Sequence, residues 1–67
     1  MELNQEKFVM MLDHMLGHNK HHTEDLVEMA ANADRLNRSD VAELINQAKQ
    51  LQDQANQILE KSLDLLK

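Results

Sequence analysis

Cysteine and proline are absent from this chain, glycine occurs once, at Gly17, and Phe8 is the lone aromatic residue. Without cysteine no disulfide staple or thiolate zinc site can form, and with so little turn punctuation a sheet or a loop-rich fold is excluded. The one aromatic leaves no platform for stacking bases. Only seven Lys and Arg stand against twelve Asp and Glu, a net charge of −5, so the clustered cations that displace counterions from a phosphate backbone are missing. Nucleic acid is therefore not the expected partner. No charged-then-apolar leader opens the sequence, and no apolar run approaches the roughly 18 residues of a membrane span. The expectation is a cytoplasmic protein with no membrane association.

What is present is helical periodicity over 67 residues, enough for a single domain spanning 1–67. A domain of this size buries only about 60 per cent of the surface its unfolded chain exposes, which makes self-association the natural way to complete a core. Phe8, Leu12, Met15, Leu26, Met29 and Ala33 recur at alternating spacings of four and three. Written as a heptad, Leu12, Asn19, Leu26 and Ala33 take a, and Phe8, Met15, His22, Met29 and Leu36 take d. The pattern predicts one helix over about 4–35. It weakens at Arg35-Leu36-Asn37-Arg38, after which Ser39 or Asp40 can cap a second helix over about 40–66. There Val41, Ala48, Ala55 and Ser62 take a, Leu44, Leu51, Ile58 and Leu65 take d, and Ile45, Leu59 and Leu66 widen the stripe at e.

The fold class expected is all-α: an antiparallel helical hairpin whose helices, at 1.5 Å per residue, measure roughly 48 and 40 Å. The second helix carries more apolar width than one partner covers, so two hairpins are expected to pair as a homodimeric four-helix bundle. The alternative breaks the first helix near Gly17 and gives a three-helix bundle whose middle helix starts near Thr23.

All four histidines fall within nine positions, in the segment His14-Met-Leu-Gly-His18-Asn19-Lys-His21-His22-Thr-Glu24-Asp25. His14, His18 and His22 follow one another at one-turn spacing, and imidazoles at i and i+4 can face one metal ion. Asp25 extends the row, so His18 and His22 with His14 or Asp25 assisting offer nitrogen and oxygen ligands suited to zinc, nickel or cobalt. The same residues have a structural reading. His18, Asn19 and His22 interrupt an apolar stripe, and a polar layer in a helical seam sets register and oligomeric state at some cost in stability. Across a hairpin this layer faces the amide-rich stretch Gln50–Gln57; Gln52, Asn56 and Gln57 there are good partners for imidazole but poor metal ligands, and Asp53 supplies the one carboxylate. His21 points away as a bystander. Met10, Met11, Met15 and Met29 read as adaptable core or interface fill.

The pattern His18-Asn19-x-x-His22-x-x-Asp25, followed by an amphipathic helix ending Ile58-Leu-Glu-Lys-Ser-Leu-Asp-Leu-Leu66, resembles a small helical-hairpin domain of unknown function with an H-N-x-x-H signature. That domain is associated with anaerobic bacteria and archaea and is sometimes fused to nickel-handling accessory proteins. The resemblance spans roughly Leu12 to Leu66, implies the hairpin fold, and marks His18, Asn19 and His22.

Catalytic machinery is not legible. Ser39 and Ser62 have no neighbouring base, no glycine-rich loop can cradle a phosphate, and the Glu-x-x-His pairs of dinuclear carboxylate bundles do not occur. The function expected is a non-enzymatic, self-associating helical module with an interaction or regulatory role, its partner a second copy or another protein. The alternative is a small transition-metal binding or delivery protein that uses the histidine cluster.

Overall fold

A computed structural model describes residues 4–67, so the first three residues of the expected 1–67 domain lie outside the described residues. Two helices account for nearly all of it, α1 (Gln5–Arg35) and α2 (Ser39–Leu66), packed along each other as a hairpin 51 Å long. These bounds match the spans expected from periodicity to within a residue.

Each helix end has an identifiable cause. Asn4 has extended backbone, and its side-chain oxygen accepts from Lys7 N–H at 2.9 Å, which satisfies one of the unpaired amides that open α1. At the other end Asn37 takes a left-handed conformation with φ of 59°. Arg38 N–H donates to the Ala33 carbonyl at 2.9 Å and Asn37 N–H to that of Asp34 at 3.0 Å, the paired bonds of a Schellman cap with asparagine where glycine is commonest. The second helix starts without the side-chain N-cap expected of Ser39 or Asp40. Its N-cap residue is Arg38, which makes no side-chain capping bond. Asp40 takes up the charge instead: its carboxylate accepts from Val41 N–H at 2.8 Å and from two nitrogens of the Arg38 guanidinium at 3.1 Å each.

The three-helix alternative does not occur. α1 passes through Gly17 without a break, and a glycine in a helix interior costs only about 1 kcal/mol against alanine, too little to interrupt 31 residues of ladder. Nothing requires glycine there, since a Cβ added at Gly17 would meet no atom within 4 Å.

The face each helix turns to the other differs from the heptad expectation by one position. On α1 the residues shielded by α2 are Val9, Leu12, Leu16, Asn19, Thr23, Leu26, Ala30 and Ala33, a three-four repeat. On α2 the shielded residues include Ala42, Ile45, Lys49, Asn56, Leu59, Leu63 and Leu66, again at heptad spacing. The expected a line of α1 is thus correct, but its d line, Phe8, Met15, His22, Met29 and Leu36, lies outside the seam, and Leu16, 4% exposed, takes part in its place. On α2 the expected e residues Ile45, Leu59 and Leu66 face inward, while the expected d residues Leu44, Leu51, Ile58 and Leu65 do not.

The seam itself is a modest core. Leu12, Leu16 and Leu63, with Val9, Leu59 and Leu66 against them, fill the open end of the hairpin, where Gln5 Nε2 also donates to the Leu66 carbonyl at 2.8 Å. Near the turn the buried residues are Ala30, Ala33 and Ala42, whose small side chains let the helices approach closely. Between these zones the seam is polar. Thr23 is buried with its hydroxyl donating back to the Lys20 carbonyl at 2.6 Å, and the buried Asn56 leaves Oδ1 without a partner among the described residues. Lys20 reaches across to Glu60, and Lys49 pairs with Asp53 at 2.6 Å along α2. The charged pair across the helices joins Lys20 to Glu60, one turn beyond the amide-rich stretch Gln50–Gln57.

Candidate functional site

The large apolar residues left out of the seam are ordered. On α1, Phe8, Met11, Met15 and Met29 are exposed, and Leu36 continues the line just past the helix; on α2, Leu44, Leu51, Ile58 and Leu65 recur every seven residues. Among the described residues, the other large exposed apolar side chains are Met10 and Val27. Leu51 and Ile58 are each 65% exposed and Leu65 is 88% exposed, values out of keeping with a face meant for water. Each helix therefore has two heptad stripes, one facing its neighbour and one facing outward.

Both outer stripes emerge on the same side of the hairpin. The stripe residues run one position ahead of the seam: Phe8 before Val9, Met15 before Leu16, Leu44 before Ile45, Ile58 before Leu59, with Leu51 and Leu36, which precede exposed residues, keeping the same phase. One position is a rotation of about 100° about the helix axis. Because the helices are both right-handed but run in opposite directions, the same offset turns in opposite senses when viewed from one end, and the two stripes converge on one face. That face measures about 51 by 20 Å, on the order of 1,000 Å², against the roughly 800 Å² per partner that a stable protein–protein interface covers. Ala48 and Ala55 lie between the large residues of α2, and a hollow of 340 Å³ lined by Phe8, Met11, Leu12 and Met15 opens at one end.

The histidine pair interrupts this outer stripe. His18 and His22 precede the seam residues Asn19 and Thr23, so they continue the line of Phe8, Met11 and Met15. Their Nε2 atoms stand 2.9 Å apart, a hydrogen bond in which one imidazole donates and the other accepts, with the rings meeting edge to face at a centroid separation of 4.4 Å. His22 turns its other nitrogen, Nδ1, toward Asp25 Oδ2 at 3.8 Å, and Asp25 precedes the seam residue Leu26 on the same stripe. The side chains of His22 and Asp25 are each about half exposed within the single hairpin.

Of the residues picked out in the sequence, the structure brings together His18 and His22, with Asp25 behind them. His14 is exposed and takes no part in the pair, and His21 faces outward with Nδ1 3.8 Å from Glu24. Of the expected polar layer only Asn19 enters the interhelical seam, where it is half-buried. Among the described residues no group of three or more His, Cys, Asp or Glu in one hairpin converges in the manner of a metal centre. The shielding of Thr23, the orphaned Asn56 oxygen and the Lys20–Glu60 pair were not anticipated. Their signal was the second three-four repeat, Leu16-Asn19-Thr23 and Lys49-Gln52-Asn56, one position out of phase with the stronger one.

The architecture is thus an all-α helical hairpin with an uncovered apolar face, and among the described residues no helix is long and apolar enough to cross a membrane. Residues 8–66 match the family described as a domain of unknown function, DUF8180, and the chain belongs to that family. No curated protein and no solved structure shows significant similarity to it.

Proposed function

We propose that this chain is a non-enzymatic, self-associating helical module, in which two hairpins lay their outer stripes together as a four-helix bundle that serves an interaction or regulatory role in the cytoplasm. The observation that carries this reading is the outer stripe itself. Leu44, Leu51, Ile58 and Leu65 keep strict heptad spacing while exposed, and side chains of this size placed so regularly lose free energy in water that a second helical face restores. The intramolecular seam is filled at its centre by Asn19, Thr23, Lys49, Asp53 and Asn56, and near the turn by alanine, so the larger apolar burial becomes available only on pairing.

In such a bundle the His18–His22 pair becomes a polar rung in an apolar interface. It fixes the alignment of the two copies, because a slipped register sets imidazole against methionine or leucine and leaves its hydrogen-bonding nitrogens dry. A second reading, metal binding within one chain by His18 and His22 with His14 or Asp25, is favoured by the 2.9 Å contact, though among the described residues no third ligand converges on it. The resemblance of His18-Asn19-x-x-His22 to a domain of anaerobic bacteria and archaea, sometimes joined to nickel-handling accessory proteins, supports an accessory rather than a catalytic role.

Sedimentation equilibrium tests the reading. The intact chain should give twice the 7.8 kDa chain mass, and the double variant L51D/I58D should sediment at the single-chain mass or lose its helical signal. A wild-type chain that stays folded at 7.8 kDa would overturn it.

A further inference from the structure

His18 and His22 flank residue 20, the midpoint of α1 (Gln5–Arg35). This position matters because the proposed self-association pairs two hairpins over their full length. Whether the copies run parallel or antiparallel, complete overlap sets the middle of one α1 level with the middle of the other. When the copies run antiparallel, α1 of one lies over α1 of the other, and the two histidine pairs meet at that height, on the faces the copies turn toward each other. We propose that they complete a transition-metal site between subunits, with His18 and His22 of each copy as the four ligands and Asp25 of each copy behind its own His22.

The local geometry suits this chemistry. With metal–nitrogen bonds of about 2.0–2.1 Å, two Nε2 atoms 2.9 Å apart subtend an angle of about 90° at the metal, the cis angle of a square-planar or octahedral ion; opening them to about 3.3 Å gives the tetrahedral angle zinc prefers. Neutral imidazole is a ligand for divalent zinc, nickel, cobalt and copper, which defines the class of ion. Among the described residues a single hairpin supplies two converging nitrogens and no third ligand, so the site is incomplete without the second copy.

Ligation also has a route for the proton now between the rings. In the metal-free pair one Nε2 carries hydrogen and the other accepts it. Both must be bare to bind metal, so the donor ring transfers its proton to its own Nδ1 through solvent and remains neutral. When His22 is that donor, its Nδ1–H points at Asp25 Oδ2, 3.8 Å away, and the carboxylate orients the ring as such partners do behind metal-bound histidines. Asp25 is thereby a positioning residue and not a ligand. On α2 the large side chains of the outer stripe alternate with Ala48 and Ala55, whose short side chains leave room for imidazole.

The inference rests on the self-association reading, and native mass spectrometry of the untagged chain separates the two. Chelator-treated protein is measured alone and then with zinc or nickel chloride added. The expected spectrum is a dimer that takes up one ion per two chains. Affinity should fall at least 100-fold in H18A or H22A while the dimer persists, and should not change in H14A or H21A. D25N should weaken binding by about tenfold, in keeping with an orienting partner. One ion on each separate chain would overturn the intersubunit site, as would a dimer that ignores both metals, which leaves self-association standing. A chain that stays single and binds no metal would overturn both readings. A chain that is single in chelator and paired with one shared ion would uphold the site and overturn the metal-free bundle.

Discussion

The Nε2 atoms of His18 and His22 stand 2.9 Å apart, one helical turn along α1, on a stripe built, apart from these two and Asp25, from phenylalanine, methionine and leucine. Each imidazole is satisfied on one side by the other, so the pair enters an apolar face at less cost than two lone histidines would. That arrangement suits a rung that specifies alignment, and it makes His22 informative to replace. In metal-free protein, replacing His22 together with its partner, H18L/H22L, should leave a folded assembly stabilised by about 1 kcal/mol, because leucine suits the stripe and no imidazole is left unpaired, while a second oligomeric species appears beside the dimer. Thermal melts with analytical ultracentrifugation check both; a lowered midpoint with one unchanged species would contradict the alignment role.

Gly17 lies exposed in the interior of α1 with open space where a side chain would be. Gly17→Ala should raise stability by roughly 0.5–1 kcal/mol per chain, since alanine gives up less backbone freedom on folding and meets no steric obstacle. Denaturant midpoints measure this. A loss of stability would mean that the face around residue 17 is closely covered in solution.

Asn56 is 5% exposed, and its Oδ1 has no hydrogen-bond partner among the described residues. A buried unpaired amide oxygen costs on the order of 1–3 kcal/mol, so Asn56→Leu, lying between the shielded residues Leu59 and Asp53, should be stabilising by about 1 kcal/mol. Chemical denaturation at constant slope provides the test. Destabilisation by more than about 1 kcal/mol would show that Asn56 is paired in solution.

Asp40 binds the Arg38 guanidinium with both oxygens and accepts from Val41 N–H, and these contacts hold its carboxyl below the usual value of 3.8. A folded-state value lowered in this way gives stability that is complete above the unfolded value and is lost as pH falls through the folded one. Asp40→Asn should therefore be less stable than the parent at neutral pH, and the two should converge as the solution is acidified below about pH 4. The comparison is made by thermal midpoint as a function of pH. A gap that persists unchanged at pH 2 would place the effect of Asp40 elsewhere.

Much of the fold was legible in the sequence. The Asn4 start, the turn at Arg35–Arg38 and the lengths of both helices follow from periodicity and capping chemistry, because those signals are local. The seam was not legible, for a physical reason. Both helices carry two apolar repeats one position apart, and periodicity cannot say which repeat meets the neighbouring helix and which meets another copy. Size misled as well. The larger residues, Phe8, Met15, Leu44, Leu51 and Ile58, mark the more apolar stripe, yet the hairpin closes on the one with Ala30, Ala33 and Ala42, where small side chains let a three-residue turn join close helices. The histidines were picked out by their one-turn spacing. Their placement on the outer stripe, with Asn19 alone in the seam, depended on that one-position choice.

The central claim is that a second copy of this chain covers the outer stripe, face to face and over its full length. Small-angle X-ray scattering of the metal-free protein tests it most directly, because forward intensity reports mass while the radius of gyration reports arrangement. One hairpin has a Cα radius of gyration of 15.7 Å, and two stacked at the usual interhelical spacing of about 10 Å should double the forward intensity with a radius of only about 16–17 Å before hydration. Single-chain intensity, or doubled intensity with a radius near 30 Å, as two 51 Å hairpins joined end to end would give at about 1.5 Å per helical residue, would contradict the account.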